Sequence, residues 1–203
     1  MLKQISNLLF FVAMLSAFAA FAEATPSPTD EVRASVDAVI ALLKDDQLDR
    51  DSRREKMRVV INDRFDFRAM SQRTLATNWK KASDTEKQQF TDLFAQLIQN
   101  SYVSKIESYT NETVEYPGEK LKGRKAVVNT LIITSSAEIP VNYRVYLKNG
   151  KWRVYDVIIE GVSLISNYRS SYQQIVKKDG FPGLLARMEA KIKELENAPP
   201  ESG

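Results

Sequence analysis

The sequence predicts an α+β fold, in which helices wrap a curved antiparallel sheet and enclose an apolar interior. Three observations lead to this class. Apolar residues recur at helical spacing up to Tyr109, alternate as in strands from Glu112 to Glu160, and return to helical spacing after Leu164. Helices that precede and follow a meander of strands pack across one face of its sheet. Such an interior is either filled by side chains or left open for a ligand.

An Asn-Gly pair at residues 149–150 fixes the register of the last two strands, 139–148 and 151–160. Asn-Gly between two alternating segments is the strongest local signal for a two-residue hairpin turn. A slip by one residue would turn the arginines inward, so the pattern itself favours this register. The predicted cross-strand pairs are Lys148–Lys151, Leu147–Trp152, Val145–Val154, Tyr143–Asp156 and Val141–Ile158.

Helical segments are predicted on both sides of the strands. Thr29 caps the first helix, and two shorter helices follow, the second of them ending near Trp79. Ser83 and Glu86 form a capping box that begins a long helix reaching Tyr109. Two more helices, 164–178 and 184–195, are separated by a glycine- and proline-containing turn.

Two further strands are predicted ahead of the hairpin. The first covers 112–116 and ends at Pro117-Gly118, because proline and glycine interrupt a strand. The second, 125–134, has apolar residues on both faces, as expected for a central strand. The pattern therefore does not show which face of this strand points into the interior.

The first 22 residues are typical of a cleavable secretory signal. Lys3 precedes an apolar segment from Leu8 to Phe21, and Ala20-Phe21-Ala22 suits a signal peptidase. We expect a signal peptide at 1–22, a single domain at 23–196 and a flexible tail at 197–203. The chain has no Cys, so neither a disulfide nor a lipid anchor on cysteine is expected. The predicted location is the bacterial periplasm.

Composition restricts the chemistry. With no His and no Cys, the chain has no Ser-His-Asp triad, no thiolate nucleophile and no His- or Cys-ligated zinc. Its seven glycines form no phosphate-binding loop or dinucleotide fingerprint. A net charge of +3 with both signs mixed along the chain is not typical of a nucleic-acid-binding domain. We expect no catalytic residues, no metal and no cofactor.

The residues leave open two functions that do not require a large ligand in the interior. Asp156 is the one carboxylate on the apolar face, and opposite Tyr143 it would form the base and oxyanion donor of an isomerase-like site. Equally, Asp156 has a structural role if it binds backbone amides near Gly161. An adaptor that acts through its surface would use the basic side of the hairpin, which carries Arg144, Lys148, Lys151 and Arg153.

The segments around the hairpin resemble a known family. Val154-Tyr155-Asp156-Val157, then Glu160-Gly161-Val162-Ser163-Leu164 and Asn167-Tyr168-Arg169, closely resemble the signature of MlaC-type periplasmic phospholipid-binding proteins, also called the toluene-tolerance family. A second match has the family's spacing at Phe65-Asp66-Phe67, Met70, Leu75, Trp79, Phe90, Phe94 and Tyr102. Where the family often has Gly after the leucine, this chain has Ala76, which we interpret as a mild departure within a helix.

The resemblance implies a nuclear-transport-factor-like cone with a helical subdomain, and a soluble carrier that moves phospholipid between the outer and inner membranes. Implied partners are an outer-membrane lipoprotein complex (MlaA-like) and an inner-membrane ABC transporter reached through its MCE-domain subunit (MlaD-like). Candidate head-group ligands are Ser163, Asn167 and Arg169, although Arg169 equally suits an ion pair with Glu160. Candidate acyl-chain contacts are Phe90, Phe94, Leu97, Tyr102, Leu131, Ile133, Tyr143, Val145, Leu147, Trp152, Val154 and Ile158.

Overall fold

The computed structural model describes residues 26–108 and 112–197, so the predicted signal peptide and nearly all of the predicted tail lie outside the described residues. Four helices precede the sheet and one follows it. The helices are α1 (Pro28–Leu43), α2 (Arg50–Arg64), α3 (Phe67–Leu75), α4 (Asp84–Glu107) and α5 (Leu164–Asn197), with a 3₁₀ turn at Ala76–Lys80 after α3. The strands are β1 (Thr113–Lys122), β2 (Lys125–Ile133), β3 (Glu138–Lys148), β4 (Lys151–Ile159) and β5 (Val162–Ser163).

The five strands form one antiparallel sheet in the order β1-β2-β3-β4-β5, and the α+β prediction is confirmed. The predicted helices before and after the sheet also form. The last two merge into α5, which is interrupted at Gly180, where the backbone takes φ 70° and ψ −174°. A positive φ with extended ψ is a conformation that glycine adopts with little strain.

Helix starts follow the side-chain chemistry, with one change of residue. The capping box of Ser83 and Glu86 is present at α4. At α1, however, the cap is Ser27, whose hydroxyl accepts from the Asp30 N–H. Thr29, the predicted cap, instead donates from its backbone N–H and its hydroxyl to the Glu119 carboxylate. Thr29 therefore fastens α1 to β1.

Two bulges curve the sheet. The predicted register holds from the turn to Val145–Val154, where one extra residue on β4 then shifts every later pair. Arg144 rather than Tyr143 faces Asp156, so the predicted Tyr143–Asp156 pair is wrong. A second irregularity on β1 between Glu115 and Gly118 lets the strand continue where an end was predicted. Bulges of this kind bend the strand and increase its twist.

The apolar interior consists of two clusters of buried side chains. The sheet cluster lies between the strands and α1, and includes Val32, Val145 and Val154. The helical cluster lies among α3, α4 and α5, and includes Phe90 and Phe94. Partly buried Phe65 and Tyr102 pack against both clusters. The long helix α4 thus packs mainly on other helices, not over the sheet.

Ala76 has an unusual backbone conformation. It ends α3 with φ 50° and ψ −117°, because the chain turns sharply there into the 3₁₀ turn. An L-residue other than glycine is strained at these angles. The departure from the family's glycine is therefore not the mild helical substitution that the sequence suggested.

Candidate functional site: the open half of the inner sheet face

The face of the sheet turned toward α1, called the inner face, differs between its two halves. Near the 149–150 turn it is closely covered, with Val128, Val145 and Val154 at 0% exposure. Toward the 134–137 turn its apolar side chains are only half-buried. This second part, which we call the open half, consists of Val114, Ile132, Ile139, Tyr143 and Ile159.

The register of the sheet brings these five side chains together. Ile132 lies opposite Val114 on one side and opposite Ile139 on the other. Val141, two residues after Ile139 on β3, lies directly opposite Ile159 on β4. Because residues two apart on a strand share a face, Tyr143 continues the same surface toward the centre of the sheet. The result is a continuous apolar surface spread over four strands.

Polar atoms on this surface are few. The hydroxyl of Thr130, which lies between Val128 and Ile132 on β2, donates to the Val141 carbonyl and so presents no free donor. Burial raises the pKa of Tyr143 to about 12. A wide apolar wall with one or two phenolic hydroxyls suits a hydrocarbon ligand that carries ester oxygens.

Tyr102 of α4 lies between the helical layer and the sheet. Its half-buried ring packs against both the sheet cluster and the helical cluster. Burial, and secondarily the neighbouring Tyr168, raise the pKa of Tyr102. The ring therefore stands where the helical layer and the sheet meet.

The twelve predicted acyl-chain contacts fall into four groups of three. The first group, buried in the helical cluster, is Phe90, Phe94 and Leu97. The second, buried in the covered half of the sheet, is Val145, Trp152 and Val154. Half-buried Tyr102, Tyr143 and Leu147 lie along the sheet cluster. The remaining three, Leu131, Ile133 and Ile158, lie opposite Pro140, Glu138 and Asn142 on the outer face of the sheet.

The outer position of these three residues corrects the sequence interpretation. β2 is apolar on both faces, so alternation alone could not decide between Ile132 and Ile133. On β4 the bulge reverses the facing of every residue beyond it, Ile158 included. Ile132 and Ile159 were missed for the same two reasons, whereas Ile139 continues the alternation of Val141 and Tyr143 on β3 and could have been included from it. Extending the pairing from the hairpin across β2 would have identified Ile132, but not Ile159.

Asp156 is a structural junction between the sheet and α5. Its carboxylate accepts from Arg144 Nη1 at 3.0 Å, Ser163 Oγ at 2.8 Å and the Ile165 N–H at 3.2 Å. Tyr143 lies on the other face of the sheet. The base and phenol of the isomerase-like alternative are therefore not brought together, and the interpretation of Asp156 as a backbone-binding residue is the one the geometry favours.

The predicted head-group ligands stand at the start of α5. Ser163 pairs with Ile158 of the outer face in the short β5 ladder, and the preceding residue, Val162, pairs with Ile159 of the open half. Its hydroxyl donates to Asp156 and accepts from the Ser166 N–H. Arg169 donates from Nε to the Arg73 carbonyl at 2.9 Å, not to Glu160 as one interpretation had it. Asn167 is exposed.

The basic side of the hairpin is largely neutralised by acids. Arg144 binds Asp156, and Lys148 binds Asp66 at 2.7 Å. Lys151 and Arg153 lie 3.7 Å and 3.5 Å from the Asp63 carboxylate. These ion pairs leave little of the cationic surface that the adaptor alternative requires.

Two surface grooves accompany this arrangement. One, of about 430 Å³, lies beside the 149–150 turn and is bordered by Phe65, Asp66 and Lys148. The other, of about 610 Å³, lies between α2 and α4 and is lined mostly by polar side chains such as Asn62, Gln96 and Gln99. Neither groove includes a residue of the open half.

A solved structure shares this fold. The structure of a phospholipid-binding protein from Ralstonia solanacearum, solved in complex with a phospholipid, aligns with a TM-score of 0.77. The alignment covers 85% of this chain and 100% of that one at 24% sequence identity. The two chains therefore share one fold.

The sequence identifies the family. The MlaC protein family matches residues 33–190, and the chain belongs to this family, as the resemblance predicted. The intermembrane phospholipid transport system binding protein MlaC of Haemophilus influenzae is 26% identical over 123 residues, 58% of each chain. The toluene tolerance protein ttg2D of Pseudomonas putida is 22% identical over 103 residues, 50% of this chain and 48% of that one. The matches thus span about half the length of these relatives.

The part of the chain that the structure describes contains no helix with both the length and the apolar character needed to span a bilayer. Its longest helices, α4 and α5, both include charged residues.

Proposed function

We propose that this protein is a periplasmic phospholipid carrier that holds acyl chains against the open half of the inner sheet face. Membership of the MlaC family supports the class of cargo. The half-exposed apolar surface of Ile132, Ile139 and Ile159 supports the place of binding. It is the observation that carries the proposal, because an inner sheet face that served only as core would be covered throughout.

The acyl chains enter at the junction of the two apolar clusters. Tyr102 packs on both clusters, so a small outward displacement of α4 would extend the open half into a deeper pocket. Tyr143 lies at the central end of the open half, where burial raises its pKa to about 12 while the residue is only half-buried. We place the first methylene groups beside it.

Hydrocarbon burial sets the affinity. Each methylene removed from water contributes roughly 0.8 kcal/mol, so about thirty methylenes of a diacyl lipid contribute at most roughly 24 kcal/mol. A bilayer offers nearly the same gain, and transfer between bilayer and protein is then close to neutral. A carrier needs this balance because it must both load and release. It also follows that exchange happens while the carrier is docked at a membrane.

The head group stays near the start of α5. Val162, the cross-strand partner of Ile159, directly precedes Ser163, and both the exposed Asn167 and Arg169 lie within two turns of Ser163. Arg169 donates from Nε to the Arg73 carbonyl, and among the described residues its two terminal nitrogens make no hydrogen bond, so we assign them to phosphate oxygens. The docking partners in this proposal are an MlaA-like outer-membrane lipoprotein complex and an MlaD-like subunit of an inner-membrane ABC transporter.

Adjacent isoleucines give a matched test. Ile132 and Ile133 are both half-buried on β2, but they lie on the inner and outer faces respectively. Trp at 132 fills the open half, whereas Trp at 133 adds the same volume outside it. We expect Ile132→Trp to lower the bound phospholipid severalfold and Ile133→Trp to leave it unchanged, as measured by native mass spectrometry and solvent extraction of protein purified from the periplasm.

Two results would contradict the proposal. Wild-type protein that carries no phospholipid in native spectra would remove the carrier function itself. A loss of lipid in Ile133→Trp with retention in Ile132→Trp would place the cargo on the outer face. Circular dichroism of both variants distinguishes loss of cargo from loss of fold.

A further inference from the structure

The turn between β1 and β2 has an unusual composition. Residues 120–125, which we call the basic tip, read Lys-Leu-Lys-Gly-Arg-Lys. Four of the six are basic, while the whole chain carries a net charge of only +3. The leucine, Leu121, has 59% of its surface exposed and is one of three large apolar side chains so exposed in the described residues. A concentrated charge with an exposed leucine is the feature that the carrier function leaves unexplained.

The charges of the basic tip are not balanced. Within residues 26–108 and 112–197, the ion pairs include no carboxylate partner for Lys120, Lys122 or Lys125. Lys122 and Lys125 are direct cross-strand neighbours. Like charges in that position destabilise a hairpin. Folding alone therefore gives no reason for this arrangement.

The basic tip is held firmly by the neighbouring hairpin. The Leu147 N–H donates to the Arg124 carbonyl at 2.8 Å, and Arg124 Nη2 donates to the Leu147 carbonyl at 3.0 Å. These bonds extend the β2–β3 ladder to the end of the sheet, where the 149–150 turn also lies. The basic tip thus projects from a rigid edge in a fixed orientation.

The two faces of the basic tip differ in chemistry. Leu121 lies opposite Ala126 on the inner face, while Lys122 lies opposite Lys125 on the outer face. When the hairpin approaches a surface end-on, the leucine and the aliphatic stems of the lysines reach it together. Long cationic side chains keep their charge at the polar boundary while their methylenes rest on apolar material.

We propose that the basic tip is a membrane-contact element that inserts Leu121 into the interface of an anionic bilayer while the surrounding lysines bind lipid phosphates. A bilayer fits better than an acidic protein surface, because the tip has none of the aromatic anchors that dominate protein interfaces. Combined apolar insertion and attraction to anionic lipid is the usual basis of reversible surface binding. The proposal concerns the solvent-exposed basic tip and does not depend on bound cargo.

The size of the effect follows from the charge count. A basic residue near an anionic membrane surface strengthens binding about fivefold. Removing three of them therefore weakens the partition onto vesicles by roughly 100-fold. The attraction is screened beyond about 10 Å in 0.1 M salt, so added salt also lowers binding.

Vesicle co-sedimentation tests this proposal with a variant that carries Lys120→Gln, Lys122→Gln and Lys125→Gln. Because these side chains make no ion pair within the part of the chain that the structure describes, the fold is expected to persist. The matched control removes the same charge from exposed α5 lysines, by Lys177→Gln, Lys178→Gln and Lys193→Gln. We expect wild type and control to bind vesicles of phosphatidylglycerol with phosphatidylethanolamine, and the tip variant to stay in the supernatant.

A fluorescent probe reports insertion directly. Leu121→Trp adds an exposed indole to a chain whose two native tryptophans, Trp79 and Trp152, are 9% and 5% exposed. We expect its emission to shift to shorter wavelength on adding the same vesicles, and not with vesicles of phosphatidylcholine alone. No shift in Leu121→Trp, or equal loss of binding in the tip variant and the α5 control, would overturn the proposal.

Failure here is distinguishable from failure of the carrier function. Native mass spectrometry of the tip variant is expected to show the same phospholipid as wild type. Lipid-free protein that still binds vesicles through the tip would sink the carrier proposal alone.

Discussion

Replacing Ala76 with glycine should stabilise this protein. Ala76 ends α3 at φ 50° and ψ −117°, a conformation that costs a non-glycine residue about 1–3 kcal/mol. Glycine removes that strain but adds about 0.4–1 kcal/mol of chain entropy to the unfolded state. Loss of the half-buried methyl group lowers the stability of the folded state by less than about 0.8 kcal/mol. The expected net gain is about 1 kcal/mol.

Thermal and urea unfolding followed by circular dichroism measure this gain. For a chain of this size, about 1 kcal/mol raises the melting temperature by roughly 2–4 °C. The matched control is Ala69→Gly, because Ala69 is equally half-buried in the same helix but is not among the positive-φ residues. Glycine there should destabilise by about 1 kcal/mol. If both variants lowered the melting temperature alike, the strain at Ala76 would be refuted.

The same unfolding assay checks three further expectations. Asp156→Ala removes the shared acceptor of Arg144, Ser163 and the Ile165 N–H, and should cost about 2–3 kcal/mol, while Asp156→Asn should cost less. Asp66 is partly buried, which by itself raises its pKa, but hydrogen bonds from Lys148, Tyr146 and the Ala69 N–H hold that pKa below its ordinary value. This stabilisation is present above about pH 3.9 and is lost as the pH falls through the folded-state pKa. The free energy of unfolding of Asp66→Asn should therefore decrease less on acidification than that of wild type. Burial raises the pKa of Tyr143 to about 12, so the stability that its neutral form contributes is present below about pH 10 and is lost as the pH rises toward 12. In Tyr143→Phe the free energy of unfolding should therefore fall less steeply over this alkaline range.

Local signals in the sequence were sufficient for most of the elements. The capping box at Ser83 and the Asn-Gly turn at 149–150 act over three or four residues, so their geometry follows from the residues themselves. The hairpin register was accordingly correct for the pairs next to its turn. The strand-like segment 125–133 and the helices on either side also required only periodicity.

Bulges are where this local reasoning failed. The one mark of the extra residue near Tyr155 is Asp156 itself, a carboxylate that unbroken alternation would place on the apolar face, and this mark fits a polar site equally well. One inserted residue reverses every later side chain, since the period of a strand is two. This single feature moved Asp156 away from Tyr143 and sent Ile158 to the outer face. The strained angles of Ala76 were hidden for a similar reason, as they depend on the turn that α3 makes against its neighbours.

By itself, the sequence determined the class of the fold, the family, and the residue types from which a lipid site could be built. Only the tertiary structure decided which apolar side chains form that site, because β2 is apolar on both sides and the covering helix is chosen by packing. It assigned Phe90 and Phe94 of α4 to a separate helical core and left Ile132, Ile139 and Ile159 half-exposed. Periodicity reports which residues avoid water, whereas the neighbour that shields each of them is set by contacts between distant parts of the chain.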